Sequence, residues 1–232
     1  VATTVFLGIG SGGGQPGFLD LSGFNQEISG AQMNSTAAGA LTSALMNSST
    51  TASTLAVNSV TNTEFAGVIE GNLSLVKTGT ALFAIDGVNT YSGATLVADG
   101  TLLINGSTDP SSAVSVAGGA MLGGSGAIGG NVTLDSGALV TNNQGAPLTI
   151  NGSLVMNDNK IYVSTASPLT PGDYTLITYN TAGSTGSFNA TPVITGAGLD
   201  VGTQATILTG SGTVVLHVVS STPSSPAGFP AN

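Results

Sequence analysis

GNLSLVKTGTALFAIDGVNTYSGATLVADGTLLING, residues 71–106, is the stretch whose reading decides the fold. Short apolar pieces (Leu73/Leu75, Leu82/Ile85, Leu96/Val97, Leu102/Ile104) alternate there with Gly, Asn, Asp, Ser and Thr. Pieces that short, rich in β-formers and bounded by turn residues, predict strands of a half-buried sheet. The stretch also opens a repeat. Apolar-x-x-Gly-small-apolar occurs as VKTGTA at Val76, VADGTL at Val97, VAGGAM at Val116 and LDSGAL at Leu134, with a shortened copy, INGSL, at Ile150. Successive starts are 21, 19, 18 and 16 residues apart. One glycine-bearing turn in each such interval is the spacing of a stacked β-solenoid. The expected fold class is all-β, a parallel β-solenoid. Its core repeat is expected at Val76, Leu82, Val97, Leu102, Val116, Met121, Leu134, Leu139, Ile150 and Leu154.

Composition narrows the function classes. Charged residues are 6% of the 232, against about a quarter in an ordinary soluble protein, and the net charge is −9. Lysine occurs at Lys77 and Lys160 and arginine nowhere. Nucleic acid as a partner is therefore excluded, because neutralising phosphates takes several cations; anionic lipid is disfavoured for the same reason. Mean hydropathy is +0.38, which argues for a folded chain with a neutral-polar exterior. Without cysteine no disulfide can staple it. No apolar run approaches the ~20 residues of a membrane-spanning helix. The chain opens on Val1 without the charged and apolar regions of a secretion signal.

Taken in order, the chain divides into four expected parts. Residues 1–17 are an N-terminal strand and hinge loop, 18–165 the solenoid, 166–219 a strand-rich C-terminal cap, and 220–232 a Pro/Ser tail. VATTVFLGIG (1–10) places Val1, Thr3, Val5, Leu7 and Ile9 on one face. It reads as the first strand of the solenoid, or as a strand donated to a neighbouring copy across the SGGGQPG loop. Residues 31–62 are the least legible part, with Leu41, Ala44 and Leu45 at a spacing that also suits a helical turn; strands and loops are the expectation. PGDYTLITYN (171–180), GSFNATPVI (186–194), ATILTG (205–210) and GTVVLHVV (212–219) predict longer strands. A solenoid needs such a lid, since its last coil otherwise exposes unpaired strand edges.

Residues that carry chemistry are few. His217 is the only histidine, which rules out a histidine zinc cluster; it is expected on a strand surface. The eleven carboxylates mostly neighbour Gly, Asn or Pro, as turn residues do. Asp86, Asp99 and Asp135 could align on successive turns like the acids of a polysaccharide-cleaving β-helix, yet no arginine accompanies them. Asn157-Asp158-Asn159 reads as a turn before it reads as a calcium loop. Catalysis, metal and cofactor are not expected.

Residues 73–104 also carry a specific wording: Leu75, Lys77-Thr78-Gly79, Leu82, Asn89-Thr90-Tyr91, Ser92-Gly93, Thr95 and Gly100-Thr101-Leu102. It resembles the autotransporter-associated β-strand repeat of bacterial surface and secreted proteins, closely over about thirty residues and more loosely through Leu122–Leu139. The later strands resemble the module that often closes such proteins. The resemblance implies a right-handed parallel β-helix that is exported and non-enzymatic. Members of the family end in a membrane β-barrel of alternating ~10-residue strands with aromatic girdles. No stretch here has that length or aromatic content, so membrane insertion by this chain is not expected. The functional expectation is an extracellular structural protein at the bacterial cell surface, joining copies of itself head to tail through its solenoid ends and the strand of Val1, Thr3, Val5, Leu7 and Ile9. The alternative is an adhesin passenger fragment presenting its Thr/Asn-rich flank to glycans or a host surface.

Overall fold

The computed structural model describes residues 4–7, 17–33, 43–142 and 146–221, and it is all-β, a parallel β-solenoid. Successive coils carry β1 (Thr4–Leu7), β2 (Phe18–Asp20) and β3 (Gln26–Ile28), then β4 (Gly30–Met33), β5 (Ala44–Asn47) and β6 (Ser53–Asn58). Next come β7 (Thr63–Phe65), β8 (Val68–Gly71) and β9 (Leu73–Thr78), followed by β10 (Leu82–Ile85), β11 (Thr90–Tyr91) and β12 (Thr95–Val97). The winding continues with β13 (Thr101–Ile104) and β14 (Val114–Val116), then β15 (Met121–Gly123), β16 (Ala127–Ile128) and β17 (Val132–Leu134). It closes with β18 (Leu139–Asn142), β19 (Leu148–Val155), β20 (Lys160–Thr165), β21 (Gly172–Thr185), β22 (Val193–Gly196), β23 (Thr203–Gly210) and β24 (Thr213–Ser220).

Stacking these coils makes three faces. Face 1 is the seven-stranded sheet β7-β10-β13-β15-β18-β20-β22, with the β1–β4 ladder packed beside β7. Face 2 is β2-β5-β8-β11, extended by single bridges from Val88 through Ser107 to Ala127. Face 3 runs β3-β6-β9-β12-β14-β17-β19-β21 and ends in the antiparallel pair β24–β23. Every pairing up to β22 is parallel; only β21–β24 and β23–β24 are antiparallel. The winding passes residue 165, since β21 pairs with β19 and β22 with β20 before the antiparallel hairpin closes face 3.

The register sets which side chains enter the core. On face 3, Val97 lies over Val116 and Val116 over Leu134, one inward column. Leu102 of face 1 and Ile150 and Leu154 of β19 are buried too. Four expected core positions point the other way. Val76, Leu82, Met121 and Leu139 are partly exposed, and their neighbours Lys77, Phe83, Leu122 and Val140 take the inward places. Side chains alternate along a strand, so a one-residue slip turns a position inside out. Ile150 is also displaced in the repeat: it pairs with Ile128 beside face 2, not beneath Leu134. Beneath Leu134, one row past the paired Thr133 and Val155, sits Met156. The turn after it, Asn157-Asp158-Asn159, uses Asp158 at φ 56 where other coils use glycine.

Glycine is required at two corners for different reasons. The repeat glycines Gly79, Gly100, Gly119 and Gly137 turn from face 3 to face 1 with φ of 72, 64, 87 and 82, a left-handed conformation that costs other residues. At the corner from face 1 to face 2, Gly67, Gly87, Gly106 and Gly126 stack so closely that no side chain fits. A Cβ on Gly87 would lie 1.9 Å from the Gly67 carbonyl oxygen, one on Gly106 2.0 Å from that of Gly87, and one on Gly126 2.0 Å from that of Gly106. Two of these carbonyls also accept N–H groups of the next coil, Gly87 from Ser107 at 3.1 Å and Gly106 from Ala127 at 2.8 Å.

These corners predict unequal costs. Gly119→Ala, whose Cβ meets nothing within 4 Å, is expected to cost about 1–2 kcal/mol from its φ alone. Gly106→Ala, which forces two coils apart, is expected to cost about 3 kcal/mol or more. Urea midpoints of the two variants check the order.

Candidate functional site

Four polar constellations stand out against the apolar column. The most buried is Lys77. Alternation along Leu73-Ser74-Leu75-Val76-Lys77 puts Lys77 on the core side, in register with Val57 below and Val97 above, and its side chain is fully covered. Its ammonium turns into the corner and donates to the carbonyls of Gly79 (2.7 Å), Thr78 (2.8 Å) and Asp99 (3.1 Å), so three donors meet three acceptors. Burial pulls its pKa from the ordinary 10.5 down to about 8, with the Asp99 charge partly opposing.

Asn89 and Tyr91, from the same wording as Lys77, are likewise built into the frame. The Asn89 amide accepts from Ile69 N–H (2.9 Å) and donates to the carbonyls of Gly87 (2.9 Å) and Ser107 (3.1 Å), tying three coils. Tyr91 is buried, and its hydroxyl shares a 2.6 Å hydrogen bond with Thr95, the polar member of an inward column. Burial holds the Tyr91 phenol above its usual pKa. Asn47 and Asn159 tie other corners in the same manner. A buried amide is tolerated where its donors and acceptor all find partners. The repeat's polar residues therefore hold coils together.

Two exposed constellations remain. Glu64 and Asp86 lie side by side where face 1 meets the corner, and the Asp86 carboxyl, by hydrogen bond and by like charge, holds Glu64 above the usual carboxylate range. Asn105 donates to Asp86 at 2.8 Å. On the hairpin, His217 of β24 faces Asp173 of β21 across the antiparallel pair, with Nδ1 2.5 Å from the carboxylate. It is the single contact within 4.0 Å between a basic and an acidic side chain among the described residues, and His217 sits on the strand surface. Among the described residues no group of three or more His, Cys, Asp or Glu could hold a metal. The Asp86, Asp99 and Asp135 side chains are spread over two different corners of the coil, Asp86 after face 1 and the others after face 3.

The N-terminal end of the solenoid is the other candidate. Val5 and Leu7 belong to β1, which pairs in parallel with Gly30–Met33 of its own chain; Val1, Thr3 and Ile9 lie outside the described residues. Among the described residues, β1, β2 and β3 each have a strand neighbour on one side only. Among the described residues, three strand edges without a second strand neighbour thus lie on one coil. Phe18 in β2 and Phe24 before β3 stand on that same coil, 59% and 70% exposed. No protein-family model matches this chain, and no curated protein matches it.

The depressed Lys77 predicts a pH dependence with a definite sign. Between about 8 and 10.5 the unfolded chain holds a proton on Lys77 that the folded chain has lost, so stability rises with pH across that window. Relative to Lys77→Met, the urea midpoint of the unaltered protein should climb from pH 8 to pH 10.5; parallel profiles would show that the amine titrates normally.

Proposed function

We propose that the chain is a structural module of an exported bacterial surface protein, of the kind its repeat wording resembles, and that copies join end to end through the solenoid ends. The observation that supports this reading is the first coil, where among the described residues three strands have a neighbour on one side only and two phenylalanine rings are exposed beside them. An in-register parallel edge is a template for another strand, and apolar rings beside it favour burial. The far end differs in shape, closing face 3 with the β23–β24 hairpin, so a contact between the two ends is heterologous. Heterologous contacts that do not close into a ring propagate as fibres. A surface with one accessible lysine and abundant Thr, Ser and Asn suits a scaffold better than a site for phosphate, lipid or nucleic acid.

Substituting both rings, Phe18→Asp with Phe24→Asp, leaves the inward columns untouched. The expected outcome is loss of ordered fibres in negative-stain micrographs with an unchanged β circular-dichroism spectrum. Fibres that persist in the double variant would contradict end-to-end joining through this coil. An adhesin fragment, the competing reading, runs as a monomer at every concentration with or without the substitutions.

A further inference from the structure

The outer side of face 1 carries a run of partly exposed apolar side chains, and its charges stand five strands apart, Glu64 on β7 and Lys160 on β20. Two rows of outward residues run along it. One row is Leu82, Thr101, Met121, Leu139 and Lys160, matched strand to strand from β10 to β20. The second begins at Glu64 on β7 and passes the covered Ala84, then Leu103, Gly123 and Thr141, to Tyr162. Leu82, Leu103, Met121, Leu139 and Tyr162 are each partly exposed. Lys77 is sealed inside, so Lys160 is the one solvent-accessible side-chain amine of the chain. Among the described residues it has no carboxylate partner, while Glu64 and Asp86 crowd each other at the opposite end with no cation beside them.

We propose that face 1 is a docking surface for a second copy of this chain, packed face to face with the solenoid axes antiparallel. Five strand steps separate β7 from β20, about 24 Å at the usual strand spacing. A two-fold axis parallel to the strands, passing between β13 and β15, superposes β7 of one copy on β20 of the other. Lys160 of each copy then lies over the β7 end of its neighbour, one residue row from Glu64 and within the reach of its four-carbon stem. The same operation sets Leu82 against the other copy's Leu139 and Thr101 against its Met121. Such an isologous contact satisfies both charge clusters twice with a single arrangement. Parallel axes leave lysine over lysine and carboxylates over carboxylates. The wall offers roughly 300–400 Å² per copy, which places the association in the weak class. It is lateral, and is independent of whether copies also join end to end.

Zero-length carbodiimide coupling of an equal mixture of ¹⁴N- and ¹⁵N-labelled chains tests the arrangement in the Phe18→Asp/Phe24→Asp background, so that end contacts do not intervene. The expected product is a mixed-isotope peptide joining Lys160 to Glu64 or Asp86, a bond that separations of about 24 and 19 Å forbid within one copy. In sedimentation equilibrium, Lys160→Glu should weaken dimerisation about tenfold or more, and Leu139→Asp should abolish it without changing the thermal midpoint. A chain that stays monomeric to about 1 mM would overturn the proposal and leave the wall to a different partner. So would a dimer indifferent to Lys160→Glu, or one lacking the Lys160 crosslink.

Discussion

Parallel backbone hydrogen bonding between successive coils is the constraint on which the rest of this structure depends. A single coil has no hydrogen-bonding partner for its backbone and too few inward side chains to offset the entropy of ordering it. Stacking gives each inner strand two ladders and lets each inward side chain touch those of the coils on either side. The price is geometric: corners must repeat with the same spacing as strands, so the chain passes within contact distance of itself at every turn. Gly67, Gly87, Gly106 and Gly126 answer that demand, as each lies against a carbonyl of the preceding coil. Irregular coil lengths are absorbed elsewhere, in loops that leave the strand columns undisturbed.

The same constraint explains why polar residues of the repeat are buried. Where three faces meet, corner carbonyls turn inward and lose water. Lys77, Asn89, Asn47 and Asn159 supply donors to them. Lys77 costs most, because a charge is desolvated, and its lowered pKa records that cost. Its three carbonyl contacts fix where β9 ends and where the turn to β10 begins, a registration that an apolar side chain would not impose. This arrangement also leaves the exterior with a single exposed lysine, so the surface is defined by apolar and hydroxyl side chains and by scattered carboxylates.

Much of the architecture was legible in the residues. The glycine-punctuated spacing and alternating apolar positions specify stacked parallel strands, and Val97, Val116 and Leu134 do lie above one another. Fine register was less legible for a physical reason. Leu82-Phe83, Met121-Leu122 and Leu139-Val140 are apolar doublets, in which hydrophobicity does not say which member faces inward. The turn glycine shifts too: it follows Lys77 by two residues but Val97 by three, so aligning on glycine moves Val76 into a place that belongs to Lys77. Counting parity from Leu73 and Leu75 gives the correct side, at the cost of accepting a lysine in the core. INGSL imitates the repeat at another corner because Gly152 answers close approach to Gly130, not a left-handed turn. The candidate site was legible only as composition. Which charges share a wall, and which phenylalanines share an end, depends on stacking across 20–30 residues of sequence.

Equal spacing of coils along one axis is the claim most open to direct measurement. Since the chain has no cysteine, single pairs can be introduced and spin-labelled without a background. Ala56, Ser115, Thr133 and Val155 lie in one outward row of face 3. Pulsed-dipolar distances from Ala56 to the other three should be about 14, 19 and 24 Å, rising by about 4.8 Å for each coil added. Distances that fail to grow by equal steps, or that stay alike for all three pairs, would contradict the stacked winding.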